Sequence, residues 1–244
     1  MTLALADRLD TLVSIFVIGL QPSGSKDPFA IRRTCLGLLN IILENDIDID
    51  LREAINFAGS LVSGPSESDH ARELALTYTL ERFVAIYKEK HIAVENFKAV
   101  AALGLANPLD INRRVLAISE FKQLGDAGAL ISANRRVMNI LSRATFEEMV
   151  VNSKMLLEPA EINLFKNLKE KGSIAQKLIA QKNYPTALME LASLRQPIDE
   201  FFEKVLVMAK ESHLRENRLA LLWELSQVLR NVADFSLLTN AEED

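Results

Sequence analysis

The residues best suited to chemistry in this chain are arginines. Arg135 and Arg136 are followed by Asn139 and Arg143. Arg143 lies seven residues, or two helical turns, beyond Arg136, so both guanidiniums fall on one helix face with Asn139 between them. Two cations and an amide on one face suit phosphate oxygens and the edges or planes of unpaired bases. Arg113-Arg114 and the pair Arg215 and Arg218, three apart, are further candidates of the same kind. The same side chains can instead pair with Glu120, Glu147, Glu216 or Glu224 as ion pairs on a helix surface. Other chemistries lack their parts: there is no glycine-rich phosphate loop, no paired-cysteine site and no HExxH. His70, His91 and His213 are scattered, each beside a predicted helix end, and read as solvated or capping residues. Cys35, among Leu36, Leu38 and Leu39, reads as a buried structural thiol. Nothing in this set can run a reaction unaided.

The elements that must position these residues are helices. The chain has 244 residues, 49% apolar and 25% charged, with only 9 Gly and 7 Pro, the composition of a globular helical protein. Residues 1–107 carry 10 Lys/Arg against 14 Asp/Glu, and residues 108–240 carry 18 against 16. Glu242, Glu243 and Asp244 add an acidic end. This mild asymmetry does not by itself indicate a polyanionic partner. No apolar run approaches the roughly 18–20 residues of a membrane span, and Asp7, Arg8 and Asp10 interrupt the first twenty. A single cysteine fits a reducing compartment, so a cytoplasmic protein without membrane contact is expected.

The patterning predicts helices over about 3–18, 28–44, 50–62, 69–90 and 93–104. Asp27-Pro28 reads as a cap followed by proline at the first helical position. Asp46 to Asp50 alternates with period two, too briefly to found a sheet, and reads as an extended connector. Ser63-Gly64-Pro65-Ser66 punctuates the next pair of helices. Leu76, Leu80, Phe83 and Tyr87 define an inward face. Asn107-Pro108, Glu158-Pro159, Tyr184-Pro185 and Gln196-Pro197 mark successive helix starts in a bundle with short turns. Lys166, Lys169, Lys171, Lys177 and Lys182 read as a solvated face, with diffuse phosphate steering second. Trp223 reads as core filler rather than a stacking platform.

Several strings resemble bacterial glycyl-tRNA synthetase β subunits. They are Leu5-Ala6-Asp7-Arg8-Leu9-Asp10-Thr11-Leu12, then Gly24 through Arg33, Glu81-Arg82-Phe83 and Arg114-Val115-Leu116-Ala117. They continue through Ala133 to Leu141, Asp199-Glu200-Phe201-Phe202, Val207-Met208, Leu214 to Leu222 and Val232 to Leu238. The order is collinear over residues 3–238. The resemblance implies the C-terminal portion of a longer β chain: a remnant of an HD-like domain over 1–45, a helical linker region over 46–107, and a DALR-type anticodon-binding bundle over 108–240. The fold class it implies is all-α.

The resemblance also implies function. In that family two α and two β subunits assemble, and the α subunit joins glycine to tRNA-Gly using ATP. The β chain mainly binds tRNA. This chain would then recognise the anticodon region of tRNA-Gly and orient it, holding no catalytic residue and no cofactor of its own. Its partners would be tRNA-Gly, the α subunit and the rest of β. The alternative is a helical scaffold for subunit and domain assembly, with RNA contacts elsewhere. The tRNA-binding candidates are Arg135, Arg136, Asn139, Arg143, Arg113, Arg114, Arg215 and Arg218. Lys26, Arg32 and Arg33 either bind RNA or lock their loop. Leu5-Ala6-Asp7-Arg8-Leu9 is similar to the last metal-binding string of HD-type phosphohydrolases, which puts Asp7 at a ligand position. The other ligands of that site are missing, so Asp7 is expected as a salt-bridge partner and no metal is expected. An exposed apolar face on the first helix, with some self-association, should follow.

Overall fold

The computed structural model describes residues 1–24, 26–62, 68–125, 127–144 and 150–239. Among them are twelve α-helices and two short 3-10 turns, with no strand. The expected all-α class is what the chain adopts. Ser63 to Ser66, Glu147 and the closing Glu242-Glu243-Asp244 lie outside the described residues. The chain divides into two compact units, the first made of residues 1–97 and 104–113, the second of 98–103 and 114–244.

The first unit opens with α1 (Thr2–Val17), α2 (Ile31–Glu44), α3 (Leu51–Ser60), α4 (Ser68–Leu80) and α5 (Phe83–Glu89). Its core draws Leu12, Val13 and Phe16 from α1, Ile31, Leu38, Leu39 and Ile42 from α2, Ile55 from α3 and Leu76 from α4. Each such side chain contributes roughly 1.5–3 kcal/mol on leaving water. Close approach of α1 and α2 needs Gly37, where an added Cβ would lie 2.8 Å from Nε of Arg8. Cys35 is fully buried, with Sγ 3.4 Å from Oγ1 of Thr79.

Three expectations need adjustment. Helix α2 begins at Ile31 rather than Pro28, because Ala30 adopts a left-handed φ of 54° that interrupts helical geometry. Asp27 still caps the helix, its carboxylate accepting from the backbone N–H of Ile31 (2.8 Å) and Arg32 (3.0 Å). The helix expected over 69–90 is two, α4 and α5, joined by tightened bonds from Arg82 N to Thr79 O (3.0 Å) and Val84 N to Glu81 O (3.2 Å). That tightening accompanies full burial of Phe83, which packs with Tyr87 and Phe97 at centroid separations of 5.3 and 5.6 Å. Trp223 is half-buried rather than core filler, as expected for a large side chain at a helix edge.

The connector expected over 46–50 starts with a left-handed turn at Asp46 (φ 49°), and residues 47–50, neither helix nor strand, are held by side chains and backbone alike. Asn107 donates to Asp48 (2.6 Å), and Leu51 N donates to Ala106 O (2.9 Å). Helices α6 (Val94–Ala101) and α7 (Pro108–Phe121) follow.

The second unit contains α8 (Ala127–Leu141), α9 (Pro159–Ala180), α10 (Tyr184–Ala192), α11 (Arg195–Lys204) and α12 (Ser212–Arg230). The expected starts at Pro159, Pro185 and Pro197 all fall in the first turns of α9, α10 and α11. Helix α9 opens with a capping box between Glu158 and Glu161. Its bundle core includes Leu130, Ile131, Val137, Leu164, Leu188, Ile198, Phe201, Leu222 and Phe235.

Candidate nucleic-acid interface

The positions of the arginines follow from which face each helix buries. On α8 the inward residues are Leu130, Ile131, Ala133, Asn134, Val137 and Leu141. Arg136 and Asn139 are therefore left on the outside of α8, three residues apart, and Arg143 follows in the turn two residues past the helix end; all three are exposed. Arg135, one residue off that stripe, is half-buried and donates from Nη2 to the carbonyl of Leu238 (3.1 Å).

Hydrogen-bonding then separates the candidates. Arg114 is buried; its Nη1 donates to the carbonyls of Asn231 (2.7 Å) and Val232 (3.0 Å), and the guanidinium carbon sits 4.5 Å from the ring centroid of Tyr184. Arg218 is also buried, with Nε 2.5 Å from Oε1 of Glu161 and Nη1 2.8 Å from the carbonyl of Leu206. Glu161 uses its other oxygen to accept from the backbone N–H of Leu157 (2.7 Å) and Glu158 (2.9 Å). Arg215 donates to the carbonyl of Ala209 (2.9 Å). In the first unit Arg113 lies 3.5 Å from Asp46. The pairings of these four arginines are intramolecular and orient the guanidiniums toward the protein's own backbone and carboxylates.

Arg136 and Arg143 behave differently. Among the described residues no carbonyl or carboxylate takes their guanidinium donors. Arg136 instead lies over the ring of Phe202, its guanidinium carbon 4.1 Å from the centroid. Phe202 projects from α11 and is half-buried, one residue past the fully buried Phe201. The two rings meet edge to face at 5.5 Å and 71°. Residue-type reasoning misses Phe202. The doubled Phe201-Phe202 was the available signal, since adjacent helical residues point about 100° apart and the second ring need not share the burial of the first.

The remaining charged groups are mostly at the surface. Lys169 pairs with Glu224 (2.5 Å) and Lys171 with Glu190 (3.1 Å), whereas Lys166 and Lys177 are exposed on α9. Arg32 donates to the carbonyl of Gly24 within its own loop, and Lys26 and Arg33 are exposed. Asp7 is exposed on α1, and His70, His91 and His213 are exposed as well. Burial pushes the Cys35 thiol up to about 11, which keeps it protonated and unreactive at neutral pH. No helix among the described residues is long and apolar enough to cross a membrane.

Comparison with known proteins assigns both parts of the chain. Residues 1–102 match the family described as glycyl-tRNA synthetase beta subunit, and residues 130–238 match the DALR anticodon binding domain. The glycine–tRNA ligase beta subunit of Acinetobacter baumannii is 44% identical over 241 residues, which are 97% of this chain and 34% of that protein. Those of Hahella chejuensis and Ectopseudomonas mendocina are each 42% identical, over 97% and 96% of this chain and 34% of theirs. The chain thus spans about a third of the length of the curated relatives it matches. With most of α8 and all of α11 and α12 inside the DALR match, the chain belongs to the glycyl-tRNA synthetase β-subunit family and carries a DALR anticodon-binding domain.

Proposed function

We propose that this chain is a tRNA-binding part of a glycine–tRNA ligase β subunit, recognising the anticodon region of tRNA-Gly and orienting it for aminoacylation by an α subunit. The observation that carries this reading is the outer face of α8. There Arg136 and Asn139, with Arg143 in the turn just past the helix end, lie inside the stretch that matches the DALR domain, and no carbonyl or carboxylate of the described residues takes the donors of either guanidinium. Arg135 supports the face from beneath by tying α8 to Leu238. Arg114 and Arg218 act as internal clamps rather than phosphate ligands. In this proposal the chain contributes binding and orientation but no bond-making group. ATP is used at the α subunit, two α and two β subunits assemble, and the work is done in the cytoplasm.

A salt titration of tRNA-Gly binding to the chain tests it. Each phosphate neutralised lowers log affinity by roughly 0.7–0.9 per log unit of salt. Arg136→Glu with Arg143→Glu should weaken binding and flatten that slope, by about 0.7–0.9 if Arg143 alone meets a phosphate and about 1.4–1.8 if both do, with helical circular dichroism unchanged. An unaltered slope and affinity would remove the α8 face from the interface. Absence of binding at any salt would favour the scaffold alternative, which draws support from an open apolar groove of about 730 Å³ between α1 and α3.

A further inference from the structure

The stack of Arg136 on Phe202 has a chemistry that charge alone does not require. Neutralising a phosphate needs only a point charge such as a lysine ammonium, whereas a guanidinium is planar and stacks on aromatic faces. Arg136 is held over an aromatic ring at 4.1 Å, and that ring is itself fixed against the fully buried Phe201. One face of the guanidinium therefore rests on protein while the residue stays exposed. A guanidinium plane is one of the surfaces on which unstacked RNA bases lie, and its in-plane N–H groups remain available at the edges. Asn139, one turn along α8, offers an amide to a base edge, and Arg143, a further turn on, offers a cation to the backbone. Among the described residues no carboxylate pairs with Arg136 or Arg143.

We infer that Phe202 and Arg136 form a preorganised platform on which a single unpaired RNA base stacks, so that this face takes a single-stranded loop rather than a duplex. The inference rests on the tRNA-binding reading and adds a mode to it. Phe202 is a positioning residue: it holds the guanidinium, and the base lies on the opposite face of that group. Stacking of this kind resists salt, because it releases no counterions, whereas the Arg143 contact does not.

The test uses the 244-residue chain with an anticodon stem-loop RNA of tRNA-Gly, in which 2-aminopurine replaces one loop base at a time. Binding should quench the fluorescence strongly at one loop position. Arg136→Lys, which keeps charge but loses the plane, and Phe202→Leu, which keeps an apolar filler but loses the ring, should each abolish that quench. Each should weaken binding about five- to a hundredfold, the range expected for losing one stacked base, with the Phe202→Leu salt slope unchanged. Arg143→Gln should flatten the slope and leave the quench in place. Quenching that survives both Arg136→Lys and Phe202→Leu overturns the inference, as does equal affinity for the same stem made fully duplex. If the double glutamate variant nevertheless loses the salt slope, the tRNA-binding reading stands and only the stacking mode falls. If the chain binds neither RNA, both fall.

Discussion

At the scale of single residues, the arginines divide by where their donors go, and the division predicts opposite mutant behaviour. Arg218 lies beside the fully buried carboxylate of Glu161 and also fixes the carbonyl of Leu206. Its removal leaves a carboxylate stranded away from water, so Arg218→Ala should cost about 3–5 kcal/mol, read as a lowered midpoint in urea unfolding. Arg143→Ala loses no intramolecular partner and should change stability by less than about 0.5 kcal/mol. Comparable destabilisation by both variants would break the distinction. Cys35 gives a second residue-level prediction. Its folded pKa of about 11 lies above the ordinary 9.0, so the folded state retains the proton where the unfolded chain loses it. That contribution is fully present below pH 9 and is lost as pH rises toward 11, by at most about 3 kcal/mol. Burial raises the Tyr87 phenol as well, which adds loss in the same direction at still higher pH. Iodoacetamide should label Cys35 slowly in buffer and rapidly in denaturant.

At the scale of elements, helix ends carry local information that interior patterns lack. Asp27 accepts two backbone N–H groups at the start of α2, and Asp50 does the same for Arg52 (2.8 Å) and Glu53 (3.1 Å) at the start of α3. Asp27→Ala should therefore cost about 0.5–2 kcal/mol, and Asp27→Asn should restore most of it, as thermal melts would show. The Asp27 cap was legible because an aspartate before a proline has few other uses, whereas Asp50, the last of an alternating run, read only as connector. The true start of α2 was not, since the left-handed turn at Ala30 carries no glycine to announce it. Nor was the break between α4 and α5 legible. The Leu76, Phe83, Tyr87 spacing stays helical across it, and only the need to seat Phe83 beside Phe97 tightens the turn.

At the scale of the whole molecule, the apolar groove and the proposed RNA face should respond to salt in opposite directions. The groove between α1 and α3 exposes Leu5, Leu9, Phe57 and Leu61 and is rimmed by Asp10, Asp48, Asp50 and Glu53. Phe57 and Leu61 are 69% and 72% exposed, and Leu3 is 84% exposed. An apolar patch of this kind should drive concentration-dependent self-association, visible by sedimentation velocity. Screening the rim carboxylates should strengthen it, whereas salt weakens RNA binding. Phe57→Asp with Leu61→Asp should return the chain to monomer without touching the α8 face. Sequence by itself determined the all-α class, most helix starts, the lack of a spanning helix among the described residues and the shared face of Arg136 and Asn139, because helical periodicity and capping act over a few residues; Arg143 falls in the turn after α8. Family membership was legible too, since collinear strings survive as sequence. Only tertiary structure decided that Arg114 and Arg218 turn inward and that Phe202 comes to lie beneath Arg136. Those pairings join residues 57 to 118 positions apart, and what brings them together is packing of distant apolar faces.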